Sequence, residues 1–303
     1  MSALSRLAGS DFVYGFARNP VAIASALIVL IVVVAALGAP YLAPHNPFDL
    51  ASLNLLDSFK PPVFQADGDA LFPLGTDDQG RDVLSGIMYG TRISLFVAAL
   101  AIGFSITVGI AVGLVAGYAG GVVDAALMRV VDVQLSFPAI LIALLVDGIV
   151  RALIPQSMQE SLEIYVIVFA IGISRWPQFA RTVRGSTMVE RGRDYVLAAR
   201  VIGLSSPRIL ITHILPNVLG PVLVIGTLNL GLAILDEATL SFLGVGLPPT
   251  EPSLGTLIRI GNNFLFSGEW WITIFPGATL ALMVLSINLL GDWLRDALNP
   301  RLR

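Results

Sequence analysis

Residues 21–42 read "VAIASALIVLIVVVAALGAPYL", without one charged side chain. Roughly 20 apolar residues in a helix cross a bilayer, and a helix satisfies its own backbone polar groups where no water can. The run starts too late and extends too far for a cleaved leader, so it is read as an uncleaved first span. Weaker runs of the same kind cover 93–115, 128–150, 164–179, 218–235 and 271–290. The expected fold is therefore all-α and polytopic, with six transmembrane helices. Composition agrees: 13% of residues are charged, against about a quarter in soluble domains.

Four divisions follow. Residues 1–19 form an interfacial segment in which Leu4, Leu7, Phe12 and Phe16 stand among polar residues, as in a helix lying on the membrane surface. Residues 20–43 are the first transmembrane helix, and 44–91 an outer loop with a lead-in helix. Residues 92–303 hold five further helices and a basic loop at about 184–216. Gly109, Gly113 and Gly117 recur every fourth residue, which lets helices approach closely, either within the chain or between subunits. Arg129 with Asp132, and Asp147 with Arg151, have helical spacing for mutual neutralisation. Trp270 and Trp271 fit an interfacial aromatic belt.

Charge sets orientation and excludes chemistry. With the N-terminus inside, the outer segments keep Lys60, Arg81, Arg92, Arg151 and Arg259, while the remainder of the 18 basic residues, Arg175 among them, falls inside. That bias places both termini in the cytoplasm. Lys60 is the single lysine and sits in "SFKPP", so no phosphate loop of the G-x-x-x-x-G-K-[ST] kind exists. His45 and His213 are the only histidines and cysteine is absent, which removes H-E-x-x-H zinc sites, thiolate sites and disulfides. No catalytic residue, metal or bound cofactor is expected; energy must come from a gradient or a partner.

The stretch "RDYVLAARVIGLSSPRILITHILPN", residues 193–217, is a polar island between two apolar runs. It reads as two short helices. Asp194 caps the first and Gly203 stops it; Ser206 caps the second, with Pro207 in its first turn and Pro216 leading into the fifth span. Locally this suits a solvated loop that is basic for topology. A helix-turn-helix is the nucleic-acid alternative, disfavoured by tethering to the bilayer at both ends.

A wider pattern narrows the choice. The loop resembles the EAA loop of ABC importer permeases, E-A-A-x3-G-x9-I-x-L-P. Ala198, Ala199, Gly203, Leu215 and Pro216 are in register, with Leu197 in place of Glu and His213 in place of Ile. "PLGTDDQGRDVLSGIMYGTRISL", "GYAGGVVDAALMRVVDVQLSFP", "EATLSFLGVGLPPTEPSLGTLI" and the ending "FPGATLALMVLSINLLGDWLRDALNPRLR" are similar to the C-type permeases of the dipeptide/oligopeptide/nickel family. The resemblance runs from Pro73 to Arg303.

It implies a type I ABC importer permease in a bacterial inner membrane, paired with a second related permease as a heterodimer. Two cytoplasmic ABC ATPase subunits, carrying ATP and Mg, would dock inside. A periplasmic or lipid-anchored substrate-binding protein would dock outside. Peptides are the implied cargo, with nickel chelates or glutathione as alternatives that share every motif. The loop would be a coupling helix seated in an ATPase cleft, with Tyr195, Ala198, Ala199, Arg200, Gly203, Leu215 and Pro216 as its residues and Ala199 facing the cleft. Its flanking arginines would hold an acidic partner surface. For the pathway, Asp236 and Glu237 are candidates as acids at the outer end of span five, though Glu237 also suits a cap on the following short helix, "ATLSFLG", or a partner for a helix N-terminus. Phe137 and Pro138 are candidates for a kink facing the lumen, or for ordinary packing. A secondary transporter would need midplane acids and repeated halves, and a membrane enzyme a nucleophile with a base or metal cluster; neither pattern is found.

Overall fold

The computed structural model describes residues 11–49, 53–247 and 253–298. Leu4, Leu7 and residues 248–252 lie outside them. Helix α1 (Asp11–Ala17) leads to α2 (Pro20–Leu37) through Asn19. The Asn19 side chain accepts from the Ala22 N–H and Pro20 takes the first helical position, both favoured where N–H groups lack partners. A short α3 (Ala39–Leu42) and a loop with one 3-10 turn, Leu55–Asp57, precede α4 (Val83–Ala119). Asp82 caps α4, accepting from the Ser85 N–H and hydroxyl. The lead-in helix and the second span are therefore one 37-residue helix, with no division at residue 92.

Gly120 and Gly121, at φ 69° and 56°, turn the chain into α5 (Gly121–Leu135), followed by α6 (Ala139–Leu153) and α7 (Gln156–Arg191). After α7 come α8 (Asp194–Val201), α9 (Ser206–Ile209), a π turn (Leu210–Ile214) and α10 (Leu215–Phe242). Helices α11 (Leu254–Asn262) and α12 (Trp271–Leu298) complete the described chain. Among the described residues no strand forms beyond one isolated bridge, Thr76 with Asp82.

Among the described residues, four segments are long and apolar enough to cross a membrane: Pro20–Leu37, Val83–Ala119, Ser206–Phe242 and Trp271–Ala297. The run at 128–150 is not the straight span expected. It is divided between α5 and α6, which meet at 95°, because Pro138 lacks an N–H and bars its predecessor from helical geometry. The run at 164–179 lies inside α7, which is long enough to span but is not among the segments apolar enough by composition. Burial explains this. Ile167, Ile171, Phe179 and Val183 are fully enclosed by α4, α6 and α10, so α7 needs less hydrocarbon character than a lipid-facing helix.

The glycine ladder is an intramolecular seam. A Cβ added to Gly109, Gly113 or Gly117 would stand 2.3 Å from Phe179, 2.6 Å from Val183 or 2.7 Å from Thr187, respectively. Both series advance by four, so α4 and α7 run parallel in close contact. Helices α10 and α12 run antiparallel, Gly231 against Asn288 and Gly291 against Thr227. Phe16 meets Trp293 edge to face at 5.0 Å, which places α1 beside the last part of α12.

Of three expectations about side-chain placement, one holds and two resolve differently. Asp147 and Arg151 pair at 2.7 Å, as their spacing predicts. Asp132 pairs instead with Arg181 of α7, at 2.5 Å, and not with Arg129. Trp271 is buried and donates its indole N–H to the Thr76 carbonyl at 3.0 Å, tying the long loop to α12 instead of standing in an interfacial belt.

Candidate functional site

The α7–α10 connection is built by backbone rules. Gly192 ends α7, and α8 starts at Asp194, which occupies the first helical position; Arg193 is the cap residue and makes no side-chain cap bond. Asp194 thus acts on the positive helix end by charge, one place later than the expected cap. At the other end Gly203 has φ +86°. Its N–H reaches the Arg200 carbonyl at 3.0 Å, and the Leu204 N–H reaches the Ala199 carbonyl at 3.1 Å. This is the paired hydrogen bonding of a helix stop whose left-handed residue favours glycine. Ser205, not Ser206, occupies the cap position of α9, without a side-chain cap bond, and Ser206 and Pro207 stand in its first turn.

Pro216 explains the π turn. Without an N–H it cannot bond four residues back, and the Leu215 N–H bonds the Leu210 carbonyl five residues back. Leu215 and Pro216 therefore shape the re-entry into α10 and do not belong to α8's surface.

Tyr195 ties these pieces together. Its hydroxyl donates to Glu190 at the end of α7 and accepts from Asn217 of α10 at 3.0 Å, while Asn217 also donates to the His213 carbonyl at 2.8 Å. Burial and then the Glu190 carboxylate push the phenol's pKa up, keeping it a donor. Arg200 lies over the Tyr118 ring at 4.9 Å. Arg184 makes a bidentate pair with Asp124, 2.5 and 2.7 Å, and Arg191 donates to the Tyr118 carbonyl at 2.9 Å. These arginines bind their own chain; Arg208 of α9 is exposed, without such a partner among the described residues.

Helical spacing puts Val196 and Ala199 on the inner face of α8, both buried, Ala199 at 3% exposure. The expectation that Ala199 faces outward differs from this arrangement. The outward residues are Ala198 and Arg200 with Leu197, Val201 and Ile202, the last three 46%, 88% and 78% exposed. Val201 and Ile202 were not singled out by the motif pattern. The signal was there in the three-residue spacing of Val196 and Ala199, which fixes the buried side and turns its neighbours outward.

The acids of α10 are interior. Asp236 pairs with Arg175 at 2.6 Å, their side chains 12% and 6% exposed. Arg175 also donates to Asn229 Oδ1 and the Leu232 carbonyl, each at 3.3 Å. Arg175 thus lies level with Asp236, not in an inner loop. Glu237 is fully buried, accepting from the Ser94 hydroxyl at 2.6 Å and the Ser241 hydroxyl at 2.7 Å. Ser94 in turn accepts from the Leu254 N–H at 3.4 Å, so Glu237 braces the start of α11 from within α10 and is no cap. Phe137, 58% exposed, and Pro138 form the α5–α6 break, and Phe137 borders an open groove of about 470 Å³ shared with Val133, Ile142 and Ile173. Among the described residues no cluster of three or more His, Asp or Glu side chains is arranged to hold a metal.

Comparison with known proteins bears on these features together. Residues 109–303 match the model of the binding-protein-dependent transport system inner membrane component, and residues 9–62 that of the N-terminal TM domain of oligopeptide transport permease C. The chain is 38% identical to the dipeptide transport system permease protein DppC of Haemophilus influenzae, over 97% of this chain and 95% of that one. It is 41% identical to the protein of the same name from Escherichia coli K12, over 97% and 93%. A solved structure of inward-facing MetNI methionine ABC transporter is similar in fold, with TM-score 0.56 and 17% identity over 71% of this chain and 96% of that one. A polytopic α-helical chain that has a glycine-stopped loop between two long helices, and that matches that model over most of its length, belongs to the family of binding-protein-dependent transport system inner membrane components.

Proposed function

We propose that the chain is the peptide-translocating permease subunit of an ABC importer in a bacterial inner membrane. The observation carrying this reading is α8. It exposes Val201 and Ile202 on a rigidly ended helix at the α7–α10 connection, and the full-length relatives are named dipeptide permeases. Exposed apolar side chains on a polar connection are what a protein partner would cover. Two cytoplasmic ATPase subunits holding ATP and Mg would seat this helix, and a second related permease would complete the pathway. A substrate-binding protein would deliver peptide outside.

In this account the subunit performs no chemistry; ATP-driven closure of the partners shifts the populations of inward- and outward-open states. Six crossings result when α5–α6 counts as one broken crossing and the enclosed α7 as another, with both termini and α8 in the cytoplasm. Residues 184–216 then form the coupling loop. Arg175, Asp236 and Glu237 hold helices together, while Phe137 and Pro138 stand at a bend beside a groove.

The natural lack of cysteine permits single-cysteine mapping. Ser206→Cys should react with a membrane-impermeant maleimide only from the cytoplasmic side, and Asp67→Cys only from outside. Cells lacking the chain should lose uptake of a labelled dipeptide and regain it on re-expression. Labelling of Ser206→Cys in intact spheroplasts, or unchanged dipeptide uptake without the chain, contradicts the proposal.

A further inference from the structure

Pro177 stands inside α7, where it removes the N–H that the Ile173 carbonyl would accept, and its ring crowds that carbonyl. At this partly buried place beside an apolar groove, an unpartnered carbonyl is costly. The missing donor is supplied from another helix: Gln134 of α5 donates its Nε2 to the Ile173 carbonyl. The other end of the same amide, Oε1, accepts from the Trp176 indole at 3.1 Å. Both ends are matched in chemistry, which fixes the amide's orientation. Beside it, the Ser105 hydroxyl of α4 reaches the Gly172 carbonyl at 2.8 Å.

Gln134 also lies two residues before the Ser136–Phe137–Pro138 break, where α5 and α6 turn by 95°. Two interruptions of helical hydrogen bonding, one in α7 and one between α5 and α6, are thus joined through one side chain. Each element continues to a different end of the molecule. Helix α7 runs on through Gly192 into α8. Helix α6 carries in its last turn Arg151, which donates to Glu163 of α7 at 2.6 Å and to the Val245 and Gly246 carbonyls at 3.0 and 3.1 Å.

We propose that Gln134 is a positioning residue which keys the α5–α6 break to the Pro177 site, so that both flexible points act as one hinge when α7 is driven from α8. An ordinary residue at position 177 would close the helix without help. Proline keeps α7 soft at that point, and Gln134 decides which neighbour follows it. The inference rests on the proposed coupling role of α8.

The test uses the whole transporter in proteoliposomes, supplied with its binding protein and a labelled dipeptide, and reads dipeptides moved per ATP hydrolysed. Gln134→Leu should lower this ratio by about fivefold or more while ATP hydrolysis stays within about twofold. In a Pro177→Ala background the Ile173 carbonyl regains a helical donor, and adding Gln134→Leu should change the ratio by less than about twofold. If the leucine variant is not recovered from membranes, Gln134→Asn, an amide on a shorter arm, should show the same loss and the same relief by Pro177→Ala. An unchanged ratio, a proportional fall in transport and hydrolysis, or an equal loss in both backgrounds overturns the hinge alone. Absence of ATP-driven dipeptide uptake by the wild-type assembly overturns the coupling reading with it.

Discussion

Two regions invert the usual placement of side chains, in opposite directions. Between α7 and α10, Arg175 and Asp236 are charged and hidden; on α8, Val201 and Ile202 are apolar and bare. The first region is complete within the chain, because Asp236, Asn229 and the Leu232 carbonyl together occupy the guanidinium. The second is incomplete, because nothing among the described residues covers those side chains. A polar group in the membrane is therefore not by itself a sign of the transport path, and an apolar one outside it is not by itself core. What decides is whether the chain supplies the partner.

The sharpest way to break this contrast is to unbalance the closed region. Asp236→Leu leaves Arg175 buried without its carboxylate, which should cost about 3–5 kcal/mol. Replacing both, Arg175→Met with Asp236→Leu, should recover most of that. Thermal unfolding in detergent, followed by size-exclusion fluorescence, reads both variants. An Asp236→Leu protein as stable as the parent shows that the pair is not enclosed, and that Asp236 is free to line a path.

A smaller effect separates the two faces of α8. Ala199→Trp drives a large side chain into the chain's own packing and should destabilise the fold by about 1–3 kcal/mol. Gly203→Val introduces a branched side chain at φ +86° with open space around it. It should cost only backbone strain, about 1–2 kcal/mol, and misdirect α9, so that dipeptide uptake falls further than membrane levels do. If Ala199→Trp folds normally but fails to hold an ATPase, Ala199 faces outward after all.

How much of this was legible beforehand follows the kind of information each feature needs. The helices Pro20–Leu37 and Trp271–Leu298 were readable in large part because each holds a long charge-free run, although the break at Gly38 was not. Gly203 was readable because a helix stop has local backbone chemistry. The length of α4 was not, since hydropathy marks where lipid begins and not where the helix does. The partnering of Asp132 with Arg181, Arg175 with Asp236 and Glu237 with Ser94 was not readable either, being set by helices 49 to 143 residues away, beyond any periodic signal. For α8 the motif pairs Ala198 with Ala199, whereas consecutive helical residues face different directions and only Ala199 is buried.

The least effect is expected in the loop before α4, where Lys60 lies 2.7 Å from Asp57 and 2.8 Å from Asp69. The Lys60 ammonium, and then the Leu71 N–H, hold the Asp69 carboxyl below its usual pKa. A depressed pKa contributes order that is complete at neutral pH and is lost as pH falls through the folded value. In Lys60→Met that loss should begin nearer the ordinary carboxylate range, about pH 4, seen as earlier protease cleavage of the loop on acidification. An identical cleavage profile means that the ion pair does not order the loop.

The central claim is that α8 carries an unfinished surface that only a partner completes. Val201→Asp with Ile202→Asp changes only exposed side chains, so the protein should reach the membrane at parental levels and keep its unfolding midpoint. Copurification of the ATPase subunits with the affinity-tagged variant should fall by about tenfold or more, as when apolar anchors are replaced by charge at an interface centre. Parental levels of bound ATPase in that variant would contradict the account directly.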